Sequence, residues 1–221
     1  MTSQLNIYKR KIYFILFFNL ISVFALSQET NYKFDILSVK DGLSHNSVYS
    51  IWQDHLGHMW FGTQDGLNKY DGYKFSFFRH NPKDPNSLST GNFGKIYQDS
   101  EGIFWFGTYG GGLDRYDPKT NQFTNYSYDA EDSTSLSNNQ VQFVFEDSFG
   151  ELWIGTAHGG LNKFNKTEQN FKRYQSNPQL RKNYGSRRAY CIGETSYGNL
   201  WIGTGDGLFK YIRSEDRFEV Y

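Results

Sequence analysis

The chain has 221 residues, 23 basic and 23 acidic side chains, 19% aromatic residues and one cysteine. Balanced charge excludes a nucleic-acid footprint, which needs clustered Lys and Arg, and a lone Cys191 excludes an internal disulfide.

In chain order, the first element is a secretory signal over residues 1–27. Lys9-Arg10-Lys11 forms its charged start, Ile12 to Leu26 its mostly apolar middle, and Ala25-Leu26-Ser27 its small-residue end, so Gln28 is the expected first mature residue. The fifteen-residue apolar stretch is short against the ~20 residues of a membrane span. An uncleaved anchor is the competing reading. Without the signal, acids outnumber bases by three, which gives a mildly acidic surface.

Residues 28–42 hold Phe34-Asp35-Ile36-Leu37, read as an outer strand and its lead-in. From residue 43 a phrase recurs in phase. Trp60-Phe61-Gly62-Thr63 returns at Trp105, Trp153 and Trp201, at spacings of 45, 48 and 48 residues. Gly57, Gly102, Gly150 and Gly198 lie three residues before each Trp. Asp54, Asp99 and Asp147 lie six before it, with Thr195 in the fourth copy. An apolar run precedes each turn, and a Gly-Leu-x-x-aromatic segment and a short Phe-led run follow.

That is four β-type segments per period, with turn signals between them. Asp bonds to backbone two residues on and Gly accepts positive φ, so Asp-x-x-Gly is a tight turn. A period of about 40–50 residues holding four antiparallel strands predicts an all-β fold, a β-propeller. The four repeats are placed at 43–87, 88–135, 136–183 and 184–221. Trp60, Trp105, Trp153 and Trp201 are read as wedges between blades, because aromatics bury large area at small entropic cost.

The outer-strand signature appears five times, at Phe34–Leu37, Phe75–Phe78, Phe123–Tyr126, Phe171–Tyr174 and Phe218–Tyr221, against four Trp hairpins. The expectation is a fragment of a larger ring of about seven blades, within the usual range. A four-bladed ring with an extra strand is the alternative.

His55 and His58 flank Gly57 and are read as a solvated turn, since zinc needs three or four convergent ligands. Cys191 is read as a small buried hydrophobe. No catalytic residue, metal or cofactor is expected. Ligand-binding candidates are the positions that break the repeat in two sets of loops. The loops after each Trp hairpin strand hold Gln64, Asp65, Tyr109, His158 and Asp206, and the lead-ins to each first strand hold His45, Asn46, Asn92, Asn139 and Arg187. Polar groups converging with a few aromatics suit a sugar-like ligand. Turn-making alone is the plainer reading of each.

Asp41-Gly42-Leu43-Ser44, Val48-Tyr49-Ser50-Ile51 and Trp60 through Gly72 closely resemble the first repeat of the two-component regulator propellers. The resemblance covers about residues 34–221. It implies a periplasmic sensor region of a hybrid two-component system whose parent is anchored in the inner membrane. It further implies missing downstream blades, a kinase in the parent, an oligosaccharide ligand and a homodimer. The alternatives are a protein-interaction scaffold and a propeller enzyme of lyase or glycosidase type. The Asp-box of sialidases spaces Asp and Gly differently, and streptogramin lyases follow their Trp-Phe with Thr-Glu where this chain has Gly-Thr.

Overall fold

A computed structural model describes residues 33–174 and 188–221. The expected signal segment and Arg187 lie outside the described residues. Among the described residues, sixteen strands form four separate sheets, each of four strands in sequence order and antiparallel throughout. The first holds β1 (Val48–Gln53), β2 (Met59–Thr63), β3 (Gly66–Tyr70) and β4 (Phe75–Phe78). The second holds β5 (Phe93–Gln98), β6 (Phe104–Thr108), β7 (Leu113–Asp117) and β8 (Gln122–Tyr126). The third holds β9 (Val141–Glu146), β10 (Leu152–Thr156), β11 (Gly160–Asn165) and β12 (Asn170–Tyr174). The fourth holds β13 (Ala189–Glu194), β14 (Leu200–Thr204), β15 (Gly207–Ile212) and β16 (Arg217–Val220).

First strands of successive sheets lie side by side, β1 by β5, β5 by β9 and β9 by β13. The sheets are therefore propeller blades, with the first strand innermost, and the four do not close into a ring. Phe34–Leu37, the expected outer strand, has no ladder partner among the described residues. The outer edge of blade four is already filled by β16.

The core lies between blades. Trp60 packs with Phe104, Phe106 and Tyr116 of blade two. Trp105 packs with Val144, Leu152 and Phe164 of blade three, and Trp153 with Leu200, Ile202 and Tyr211 of blade four. A blade cannot bury both its faces alone, so each junction is a share of the core. The glycines two residues after Trp60 and Trp105 are required by that approach. A Cβ on Gly62 would stand 2.9 Å from the Phe93 Cβ, and one on Gly107 2.7 Å from Val141 Cγ1.

Candidate functional site

Blades one to three are each stapled by one carboxylate. Asp54 accepts from the amides of Leu56 and His58 through Oδ1 and from the Trp60 indole through Oδ2 at 2.9 Å. Asp99 and Asp147 repeat this arrangement, with Trp105 and Trp153 indoles at 2.8 and 2.9 Å. Burial pushes the Asp54 carboxyl up, but the Trp60 indole, the His58 amide and the His58 ring outweigh it and hold it below the usual carboxylate range. Around Asp147, burial is likewise outweighed, here by Arg213 and Trp153. These carboxylates are therefore occupied in holding turns and wedges.

Blades one to three have a second staple at the opposite end. Ser44 donates its amide to Asn68 Oδ1 and accepts from Asn68 Nδ2 on its hydroxyl; Ser137 and Asn162 repeat the exchange. Blade two carries Asp114 in that slot. The Ser89 amide and hydroxyl and Asn125 Nδ2 all donate to its carboxylate, at 3.1, 3.0 and 2.6 Å. Asp114 is fully buried, and burial pushes its carboxyl up to about 6 against those hydrogen bonds.

The two sets of candidate loops meet. Gln64 N bonds to Ser47 O, Tyr109 N to Asn92 O, Ala157 N to Gln140 O and Gly205 N to Arg188 O. Contacts also cross blade junctions, from Gly66 N to Gly91 O and from Gly110 N to Asn139 O. The loops thus form one continuous belt along a single end of the blades.

Within the belt, several expected ligand residues are engaged in turns. His45 Nδ1 accepts from Ser47 N, Asn46 Oδ1 from Val39 N and Asn139 Oδ1 from Tyr128 N. Asp65 pairs with Arg79 at 2.8 Å. Asp206 Oδ1 is buried with no hydrogen-bond partner among the described residues. Gln64, Asn92, Tyr109 and His158 are exposed.

His55 and His58 do not converge. His58 Nδ1 meets Asp54 at 3.1 Å, whereas His55 Nδ1 meets Gln98 of the next blade at 3.1 Å. Cys191 corrects an expectation: it is exposed, not buried. Its counterpart one period earlier, Phe143, is buried because blade four covers it. Cys191 lies on the far face of blade four, which no other blade covers among the described residues.

Sequence reasoning missed the indole acceptors, though Asp six residues before Trp was their visible sign. It also missed Asp114, whose only sign was an acid where two repeats have Asn.

Residues 42–65, 87–110, 135–158 and 183–206 match the two component regulator propeller family. The extracellular domain of a hybrid two component system from B. thetaiotaomicron is similar in structure, with a TM-score of 0.71 and 28% identity over 85% of this chain and 26% of that one. A second such extracellular domain from that organism aligns at 0.67 and 24%, over 86% and 27%. A histidine kinase of Formosa agariphila is 40% identical over 78 residues, 35% of this chain and 6% of the relative. Virginiamycin B lyase from Staphylococcus aureus shares the fold, with a TM-score of 0.59 at 14% identity over 81% of this chain and 57% of the lyase. This chain spans about a quarter of the length of the two extracellular domains and far less of the kinase.

Proposed function

We propose, on the premise that this chain carries four two component regulator propeller repeats, that it is a ligand-sensing part of a two-component signalling protein. It works in the periplasm and binds an oligosaccharide without turning it over. The observation that carries this reading is the loop belt. Framework positions are locked by the same carboxylate in blades one to three, and in all four blades the Thr63, Thr108, Thr156 or Thr204 hydroxyl donates to the glycine carbonyl across its hairpin, while the belt varies and leaves Gln64, Asn92, Tyr109 and His158 open to solvent. Variable polar and aromatic loops on a rigid scaffold are where binding is usually placed.

Ile51 on blade one and Leu208 on blade four stand 60% and 43% exposed, on faces that interior blades bury. Further blades of a longer parent chain cover these faces in the proposed arrangement, and a kinase in the parent reads the ligand state. Calorimetry of the exported chain against glucan, mannan, xylan and uronan hexasaccharides tests the ligand class. Saturable binding of at least one is expected. Heat of dilution alone across the panel, with association through the Ile51 and Leu208 faces, would favour a scaffold instead.

A further inference from the structure

Each innermost strand carries one residue more than its ladder uses. Pairing slips between Val48 and Ser50, between Phe93 and Lys95, and between Ala189 and Cys191. In blade three, Gly155 and Thr156 face Phe143 and Val141, which skips Gln142. The extra residues are Tyr49, Gly94, Gln142 and Tyr190. A bulge takes its extra side chain out of the face alternation and re-aims it.

The neighbours show which way. Phe93, Val141 and Ala189, just before the bulges, each join the apolar junction with the preceding blade. The bulged residues join none of these junctions. Tyr49 and Tyr190 are 50% and 52% exposed. Blade two has glycine at the bulge, and a ring from elsewhere fills the place. A Cβ on Gly94 would stand 3.3 Å from the ring of Tyr109, which reaches over from the β6–β7 hairpin and is itself half-exposed. Three of four blades therefore present a tyrosine face at one level of the inner edge. None of the three hydroxyls has a hydrogen-bond partner among the described residues. The Arg188 guanidinium lies 5.6 Å over the Tyr190 ring.

Large aromatic faces left half-exposed at one level, outside the apolar blade junctions, mark a contact surface. Tyrosine offers an apolar face and a polar tip, which suits a ligand that is apolar on its ring faces and hydroxylated at its rim. We propose that Tyr49, Tyr109 and Tyr190 form a stacking platform for the pyranose faces of an oligosaccharide, with Gln142 and the free phenol hydroxyls meeting sugar hydroxyls. This rests on the oligosaccharide reading above and assigns its site to the inner edge of the belt rather than to the outer loops.

The test uses the hexasaccharide panel with three variants. Tyr49→Ala/Tyr190→Ala removes two faces, Tyr49→Phe/Tyr190→Phe keeps the faces and removes the hydroxyls, and Gln64→Ala/His158→Ala alters the outer loops. Both tyrosines lie outside the blade junctions, so a thermal melt matching the parent is the folding control. The expected result is affinity about ten-fold weaker or worse in the alanine pair, within about three-fold in the phenylalanine pair, and a loss in the loop variant smaller than in the alanine pair. Binding that survives the alanine pair but is lost in the loop variant overturns the platform and keeps the oligosaccharide reading. No binding by the parent chain overturns both.

Discussion

Blades three and four contain the same strand, Leu-Trp-Ile-Gly-Thr, at Leu152–Thr156 and Leu200–Thr204. The two copies live differently. Trp153 is fully buried, its indole bonded to Asp147 and its ring 4.9 Å from Tyr211 of the next blade. Trp201 is only half-buried, over Tyr221 of its own blade at 4.8 Å. Its turn residue is Thr195, whose hydroxyl accepts from Asn199 N, and no acceptor meets the indole among the described residues. Identical strand sequence thus gives a core residue or a surface residue according to whether another blade follows. Burial here belongs to the junction and not to the strand.

The largest test of that contrast is truncation of the two tryptophans. Trp153→Ala removes a ring held on both sides and opens a cavity, and is expected to cost about 3–5 kcal/mol. Trp201→Ala removes a ring with one covered face, and about 1 kcal/mol is expected. Denaturant unfolding of the two variants gives both values. Equal losses would mean that the Trp201 face is covered in solution.

A second prediction concerns the buried acid that distinguishes blade two from its neighbours. Asp114 has a folded-state pKa of about 6 against 3.8 unfolded, so the folded state holds the proton more tightly. The stability it confers is complete below pH 3.8 and is lost as pH rises through about 6. Asp114→Asn reproduces the residue of blades one and three and removes that loss. It is expected to stabilise the protein by on the order of 2 kcal/mol at pH 7.5 and to change little at pH 4. Melting curves across that range should converge at the acid end. A constant gap would point to a cause other than titration.

Junctions also carry polar clamps, which the terminal blade lacks on its open side. Glu146 at the end of β9 accepts from the Ser100 amide and hydroxyl of blade two at 2.7 and 3.0 Å, and Glu194 does the same for Ser148. Gln53, the equivalent on blade one, reaches among the described residues only Gly57 O of its own turn, at 3.4 Å. Glu146→Ala is expected to cost about 1–2 kcal/mol. Gln53→Ala should lie within about 0.5 kcal/mol of the parent. A chemical-denaturation midpoint for each decides it.

Much of this was legible in the sequence. The Trp period gives the blade count, Asp-x-x-Gly gives the first turn of blades one to three, and the Gly-Leu-x-x-aromatic segment gives the third strand of every blade, because each is a local signal repeated in phase. What could not be read depends on neighbours distant in sequence. The exposure of Cys191 follows from its face being left uncovered by the other blades among the described residues. The tyrosines at the inner edge follow from bulges, and a bulge is a property of pairing between two strands. That both sets of candidate loops lie at one end follows from loop order in the repeat, which fixes the end a loop occupies. Their division into turn-makers and open side chains needed the hydrogen bonds of His45, Asn46 and Asn139.

The smallest expected effect addresses the cause of the contrast most directly. If Trp201 differs from Trp153 partly because its turn lacks a carboxylate, then Thr195→Asp should supply one. The new carboxylate would stand six residues before the indole and two and four residues before the amides of Tyr197 and Asn199, the spacing at which Asp147 holds Phe149, Glu151 and Trp153. Each bond is partly exposed, so the net gain is about 0.5–1 kcal/mol. The gain must vanish as the new acid is protonated below about pH 4, and the indole N–H resonance of Trp201 should move downfield at neutral pH. An unmoved indole resonance with unchanged stability would leave the uncovered face of blade four as the whole difference between the two strands.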